Sequence, residues 1–384
     1  MAVFPVAFTR YLMFFFPDLG WLAQVAVKTL FVALLIVTNI VGVKAAGRTN
    51  DVLTLVKLAP LVLFSVAGLS FIFSNQAVAA ANYAPFAPFG FANFGSALVL
   101  IFWAYAGFEI STIPADEIKN PGSTVPKAIV LGIAIVTVFY LTTNVVLFGV
   151  RPWESLATDV APVASATGSI FAASPLLALI AGLIVGVGAL ISVAGSDESG
   201  MIGTSRLAYA LAVDGLFPHF LARIHPKFKT PYLAIIIQAL TALVASIYGN
   251  LGSLISTSVF FMVVAYLSTS ASMFWLRKKT PKPRFTIKGG SAVAVLGAVF
   301  SVYLISQCTL DQITVGLVLL AVGVPIYIKF SPKKELTELK RELYSRSSVL
   351  ERAYRQEQRF LAHALRHVKR VYRKAAGKKQ SWSQ

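Results

Sequence analysis

Charge is what this sequence is short of. Only 13% of its 384 residues are Asp, Glu, Lys or Arg, and 57% are hydrophobic. An ordinary soluble domain carries about a quarter charged residues. Together with a mean hydropathy of +0.73, that scarcity excludes a water-soluble globular domain and points to a membrane protein. Cysteine is almost absent, and the single Cys308 excludes an internal disulfide and a cysteine-based metal cluster. The four histidines lie in a connecting segment (His219, His225) and in the tail (His363, His367). The last two share a helix face at i,i+4 spacing, a possible metal pair that reads better as a solvated face. No nucleophile–base or metal constellation is present, so an enzyme is not expected and no cofactor or metal is called for. The start, MAVFPVAFTRYLMFFFPDLG, has Pro5 and Arg10 within its apolar stretch, and it does not read as a cleavable signal peptide.

Long apolar runs are what the sequence has instead. Nine stretches, roughly 21–43, 52–74, 95–115, 126–149, 175–201, 231–248, 253–276, 289–307 and 312–330, are expected to cross a hydrocarbon core about 30 Å thick. The net charge of +18 could suggest nucleic acid, but its distribution argues against that. Lys44 and Arg48 follow the first run, Lys119 and Lys127 the third, and Arg206, Arg223, Lys227 and Lys229 the fifth. Arg277, Lys278, Lys279, Lys282, Arg284 and Lys288 follow the seventh, while the alternate loops are nearly free of basic residues apart from Arg151. This alternation is the positive-inside pattern, which places every second loop and the C-terminus in the cytoplasm. With nine spans the N-terminus then falls outside, so a further upstream segment is expected.

The chain divides into a transmembrane region, 1–330, and a basic tail, 331–384, with fifteen Lys/Arg against five Glu. In the tail, Leu336, Leu339, Leu343, Leu350, Tyr354, Leu361, Leu365, Val368 and Tyr372 fall mostly three or four apart, the spacing of an amphipathic helix. Such a helix either lies on anionic lipid, docks a protein partner, or stays solvated and serves only topology.

Residues 101–121 read IFWAYAGFEISTIPADEIKNP. Ala106-Gly107 sits between Trp103/Tyr105 and Phe108, and Glu109 follows at mid-run. Non-helical backbone at this depth survives only beside a protein-lined, water-accessible cavity. A local unwinding here would free carbonyls and amides for a ligand; the alternative is a glycine that merely lets helices pack closely. A lipid-facing Glu109 would cost about 2.5 kcal/mol or more, so it is expected to face the interior. Lys57 lies a short way inside the second run, either snorkelling to the interface or partly buried. Asp197 and Glu198 interrupt the fifth run within ISVAGSDESGMIGTSRL; they are either pocket acids or partners of Arg206 and water. Between the fifth and sixth runs, a helical continuation is expected to end at Asp214-Gly215, before Pro218.

Three segments together resemble the amino acid–polyamine–organocation transporters. FWAYAGFE…ADEIKNP…VPKAI looks like that family's sixth membrane helix and the loop after it. NIVGVKAAGRTNDVLTLVKLAPL is similar to its fourth-to-fifth helix connection, and SRLAYALAVDGLFPHFLARIHPKFKTP to its eighth-to-ninth. The order and spacing agree, and the likeness runs from Phe4 to Phe330. It implies an all-α polytopic membrane protein with the LeuT-like inverted-repeat fold, in which substrate lies at mid-membrane between broken helices one and six. By this likeness the nine runs are helices four to twelve, and the fold is incomplete at the N-terminus, lacking helices one and two.

The resemblance also implies roles. Phe102, Trp103, Ala104, Tyr105, Ala106 and Gly107 match the unwound substrate-binding region, with backbone carbonyls toward the substrate's ammonium and Trp103 at a position that covers it. Glu109 matches a carboxylate implicated in gating or proton sensing. Lys57 matches a fifth-helix lysine that stands where sodium binds in ion-coupled relatives, serving proton coupling or acting as a fixed charge. Asp197 and Glu198 depart from the family's neutral residues and would favour a basic or polar substrate, or handle protons. Asp116, Glu117 and Lys119 read as gate salt bridges and topology signals.

The expected function is secondary transport of amino acids or related amines across the plasma membrane by alternating access, proton-coupled or by exchange. The small-molecule substrate and the bilayer are the expected partners, with anionic lipid or a protein at the tail and no nucleic acid. The alternative is a truncated, non-transporting membrane protein whose tail binds lipid or a partner.

Overall fold

The computed structural model describes residues 1–42, 46–113, 118–279 and 289–330. The tail helix expected beyond 330, and the acids Asp116 and Glu117, lie outside the described residues. Among the described residues all regular structure is helical. In chain order the helices are α1 (Val3–Leu12), α2 (Trp21–Val41), α3 (Ala46–Ser74), α4 (Gln76–Asn82), α5 (Phe94–Trp103), α6 (Pro121–Val150), α7 (Trp153–Thr158), α8 (Pro162–Ile170), α9 (Pro175–Val213), α10 (Tyr232–Tyr248), α11 (Leu251–Lys279), α12 (Gly290–Ser306) and α13 (Leu310–Phe330). Short 3₁₀ helices follow α5 (Phe108–Thr112) and α9 (His219–Ala222).

Among the described residues, seven segments are long and apolar enough to cross a membrane: α2, Lys57–Ser74 of α3, Phe94–Thr112, α6, α9, Leu251–Arg277 of α11, and α13. The sixth and eighth runs form α10 and α12, apolar helices of 17 residues each. At 1.5 Å per residue each is about 25 Å long, slightly short of the hydrocarbon core. The chain is a multi-pass membrane protein.

Local chemistry sets the helix ends. Pro121 and Pro175 occupy the first turns of α6 and α9, where the missing N–H costs nothing. α9 runs for 39 residues, about 58 Å, well beyond the membrane core. It stops where Asp-Gly was expected to stop it: Gly215 takes φ +78°, and Leu216 N–H reaches back to Leu211 O at 2.8 Å. That bond closes the C-terminal turn through a left-handed residue.

α9 is the central strut, in contact with α1, α2, α3, α8 and α10. On one side Met201 joins Phe31, Val32 and Leu35 of α2 and Ile235 and Ala239 of α10 in a buried cluster. Gln238 ties the same helices with polar bonds, accepting from Thr204 at 2.8 Å and donating to Met201 O at 3.0 Å. On another side Gly188 lies hard against the ring of Pro60 in α3. Backbones come this close only because Gly188 has no Cβ, the small-residue packing on which membrane helices depend. A second cluster joins α5, α11 and α12 around Val99, Val259, Phe260, Val263 and Leu304. A third joins α3, α6 and α8 around Phe64, Val146 and Ala166.

Buried polar groups staple these contacts. Lys28 of α2 is 8% exposed and gives its ammonium to Ser246 O, in the last turn of α10, at 2.7 Å. That turn leaves carbonyls unpaired, and a cation there also complements the helix dipole. Past the end of α6, Arg151 pairs with Asp159 at 2.7 Å. Asp159 also accepts from Ala161 N–H at 2.9 Å and the Ser165 hydroxyl at 3.2 Å, which fixes the start of α8.

Two outcomes follow from this packing. Gly188→Ala puts a methyl group into Pro60 and is expected to destabilise the protein by about 1–3 kcal/mol, read as a lower unfolding midpoint in detergent; an unchanged midpoint would discount the contact. Asp159→Ala strips an acceptor from several donors, each charge-assisted bond being worth about 1.5–3 kcal/mol. Amides of 160–170 should then lose hydrogen-exchange protection while those of α9 keep theirs.

Candidate functional site

The chain unwinds inside its third apolar run. α5 ends at Trp103, and the next residues make single turn-type bonds: Ala104 N–H to Ile101 O at 3.0 Å, Tyr105 N–H to Phe102 O at 3.1 Å and Ala106 N–H to Trp103 O at 3.0 Å. Gly107 then takes φ +111° and ψ −17°, a region open to glycine and strained for any L side chain. The 3₁₀ helix Phe108–Thr112 follows.

Side chains from other helices hold the break open. The Tyr140 hydroxyl of α6 donates to Ala104 O at 2.8 Å, and the Tyr140 ring meets Tyr105 edge-on at 5.3 Å. Glu109 folds back so that one carboxylate oxygen accepts from Gly107 N–H at 2.9 Å. The same oxygen accepts from the Tyr266 hydroxyl of α11 at 3.1 Å. The Tyr266 ring stacks on Phe108 at 5.8 Å and meets Phe102 edge-on at 6.1 Å. Among the described residues no hydrogen bond reaches the carbonyls of Tyr105 and Ala106.

Those two residues, with Ala104, Phe108 and Ser111, form one wall of a cleft of about 340 Å³. The other wall is α6, including Ala128, Gly132 and Tyr140. The lining is mostly apolar, with the backbone of Tyr105 and Ala106 and the side chains of Ser111 and Tyr140 as its polar contributors. Phe102 and Trp103 turn away from this cleft. Phe102 packs with Tyr266 and Phe300, and Trp103 meets Phe4 of α1 at 5.5 Å.

The other candidates gather along α9. The Lys57 ammonium lies directly against Gly195, where a Cβ would not fit. Glu198, one turn further on the same face of α9, acts on it through space. Asp197 points elsewhere: it is 2% exposed, and its Oδ1 has no hydrogen-bond partner. Neither acid lines the described cleft. α9 also touches the break itself, since Gly203 sits against Ile110. Among the described residues no group of three or more His, Cys, Asp or Glu could hold a metal ion.

Tyr140 and Tyr266 escape the sequence reading. Each is a lone tyrosine in an apolar run, a pattern as consistent with interface anchoring as with a site. Only the fold brings them to the break.

The amino acid permease family matches residues 1–326. The branched-chain amino acid permease BcaP of Bacillus subtilis is 30% identical over 313 residues, covering 79% of this chain and 63% of its own length. The methylthioribose transporter of the same organism is 29% identical over 309 residues, 79% of this chain and 64% of its own. The serine/threonine exchanger SteT, also of B. subtilis, is 27% identical over 316 residues, 79% of this chain and 68% of its own. The chain thus spans just under two thirds of the first two relatives, and all three are named as transporters, not enzymes. A family match over most of the chain, on an all-helical multi-span fold with a broken helix where the permease-like motif lies, settles membership: this polypeptide belongs to the amino acid permease family of the amino acid–polyamine–organocation transporters.

Proposed function

We propose that this protein moves amino acids or related amines across the plasma membrane by alternating access, with its C-terminus in the cytoplasm as the basic loops direct. The observation that carries this reading is the pair of carbonyls, Tyr105 and Ala106, unpaired among the described residues, at the interrupted helix beside the cleft. An ammonium is the ligand that such carbonyls suit, since each is a preorganised acceptor in a low-dielectric surround. Names of relatives such as BcaP and SteT support amino acids as the substrate class. The methylthioribose transporter is a reminder that related chains differ in cargo.

In this mechanism Glu109 is the latch of the break. By accepting from both Gly107 and Tyr266 it couples the unwound strand to α11, so protonating or neutralising it loosens one from the other. Trp103 and Phe102 brace the N-terminal side of the break, and Gly107 supplies its backbone turn. Lys57 bridges α3 and α9 as a cation with Glu198 close by. It serves either as a proton carrier or as a fixed charge in an exchanger. Movement of α9 is felt at both places, because its Gly195 and Gly203 touch Lys57 and Ile110.

Purified protein in proteoliposomes, offered a panel of labelled basic, acidic and neutral amino acids, is expected to accumulate at least one. Absence of uptake across the panel would overturn the transport reading. Glu109→Gln and Tyr266→Phe should each lower that uptake about tenfold or more, the size of losing a charge-assisted hydrogen bond of about 1.5–3 kcal/mol. Because both changes break one bond, the double variant should be little worse than either single variant; additive losses would separate their roles. Lys57→Ala should abolish the stimulation by an imposed proton gradient if the lysine carries the proton, and should leave it intact if the lysine is a fixed charge.

A further inference from the structure

Among the buried ionisable groups that take no part in that mechanism, Asp197 alone is a carboxylate among the described residues. Asp197 lies mid-way along α9 and is 2% exposed. Its Oδ1 is buried without a hydrogen-bond partner. Its neighbours one turn away on the same face, Ala194 and Met201, belong to the apolar cluster between α2 and α10, together with Met1 and Phe8. An ionised carboxylate in such surroundings needs a cation or several donors; without them, the neutral acid is the form that tolerates burial.

Among the described residues, the charged groups on the elements packed against α9 do not meet that need. Lys28 of α2 is committed to Ser246 O. Lys57 of α3 lies against Gly195, on a different face of α9. Glu109 is engaged by Gly107 and Tyr266, and His219 of the following 3₁₀ helix is exposed. α8 and α10 carry no charged side chain. Arg10 of α1 is exposed. The α-amino group of Met1 acts on Asp197 through space but forms no ion pair with it, because the one ion pair among the described residues joins Arg151 to Asp159.

We propose that Asp197 is a proton-binding site, separate from Lys57 and Glu109, occupied in the packed conformation described here and emptied when α9 parts from α1 and α2. The step is a simple transfer: one proton passes from water to a carboxylate oxygen, and the site goes from one negative charge to none. Deprotonation leaves a bare carboxylate in an apolar seam, which favours separation of the helices and entry of water. The same rigid helix touches Lys57 through Gly195 and the broken segment through Gly203. Proton occupancy at Asp197 is thereby felt at both. The site itself stands without the transport reading; its coupling to substrate movement rests on that reading.

Infrared spectroscopy of the full chain in lipid bilayers at neutral pH tests the site directly. A carbonyl band of a protonated carboxylic acid is expected. It should vanish in Asp197→Asn, shift in Asp197→Glu, and persist in Glu198→Gln and Glu109→Gln. Absence of that band in the unaltered protein, or its survival in Asp197→Asn, would overturn the proposal. Asp197→Glu keeps the test decisive if the asparagine variant folds poorly. In proteoliposomes, Asp197→Asn should reduce the ratio of uptake with and without a proton gradient to about one. An unchanged ratio would refute the coupling. If the unaltered protein transports nothing, the transport reading fails, and the infrared result still decides the site.

Discussion

Every peptide group of a membrane-spanning chain must find its hydrogen-bond partner within the protein, and the candidate site is organised around a stretch where that rule is relaxed. From Ala104 to Gly107 the third run gives up its helical bonds, and substitutes arrive from outside the local sequence. Tyr140 takes one carbonyl, while Glu109 takes the Gly107 amide and is itself steadied by Tyr266. Among the described residues the carbonyls of Tyr105 and Ala106 are left over, and both residues line the cleft. Unsatisfied groups here would cost several kcal/mol each in hydrocarbon, so the break and its supports form one unit.

The second organising element is α9. Its glycines let three different neighbours approach without a Cβ between them: Pro60 at Gly188, Lys57 at Gly195 and Ile110 at Gly203. The spacings of seven and eight residues put these contacts on nearly one face, two turns apart. On other faces the helix carries Asp197 and the cluster around Met201. One long helix thus meets a lysine, an acid seam and the segment after the break.

Much of the fold was legible because its signals are local. Continuous apolar runs with charges confined to the ends define spans, and proline at a first turn or Asp-Gly at a last one defines their limits. Ala106-Gly107 within an aromatic run marked the interruption, because glycine is the residue that tolerates φ +111°. α10 and α12 came out as shorter helices than their runs, since run boundaries read from hydropathy take no account of the turns that cap them. The site was less legible. Phe102, Trp103 and Tyr105 share one short stretch, yet the fold sends Phe102 and Trp103 into packing and leaves Tyr105 at the cleft. Tyr266 lies far along the chain, in a run that gives it no distinguishing neighbour.

Composition and periodicity by themselves determined that this chain lives in a bilayer and that it is helical, and they marked Ala106-Gly107 beside Glu109 as either a break or a close helix contact. These properties depend on residue type and near-neighbour spacing, which any stretch of sequence displays. Only the tertiary structure decided which partners satisfy the broken backbone, that Lys57 meets Gly195, and that Asp197 is enclosed with an unpaired oxygen. Those facts depend on how distant helices are rotated against one another. A rotation of one residue, about 100°, would exchange Asp197 with its neighbours without altering the apolar pattern that defines the span.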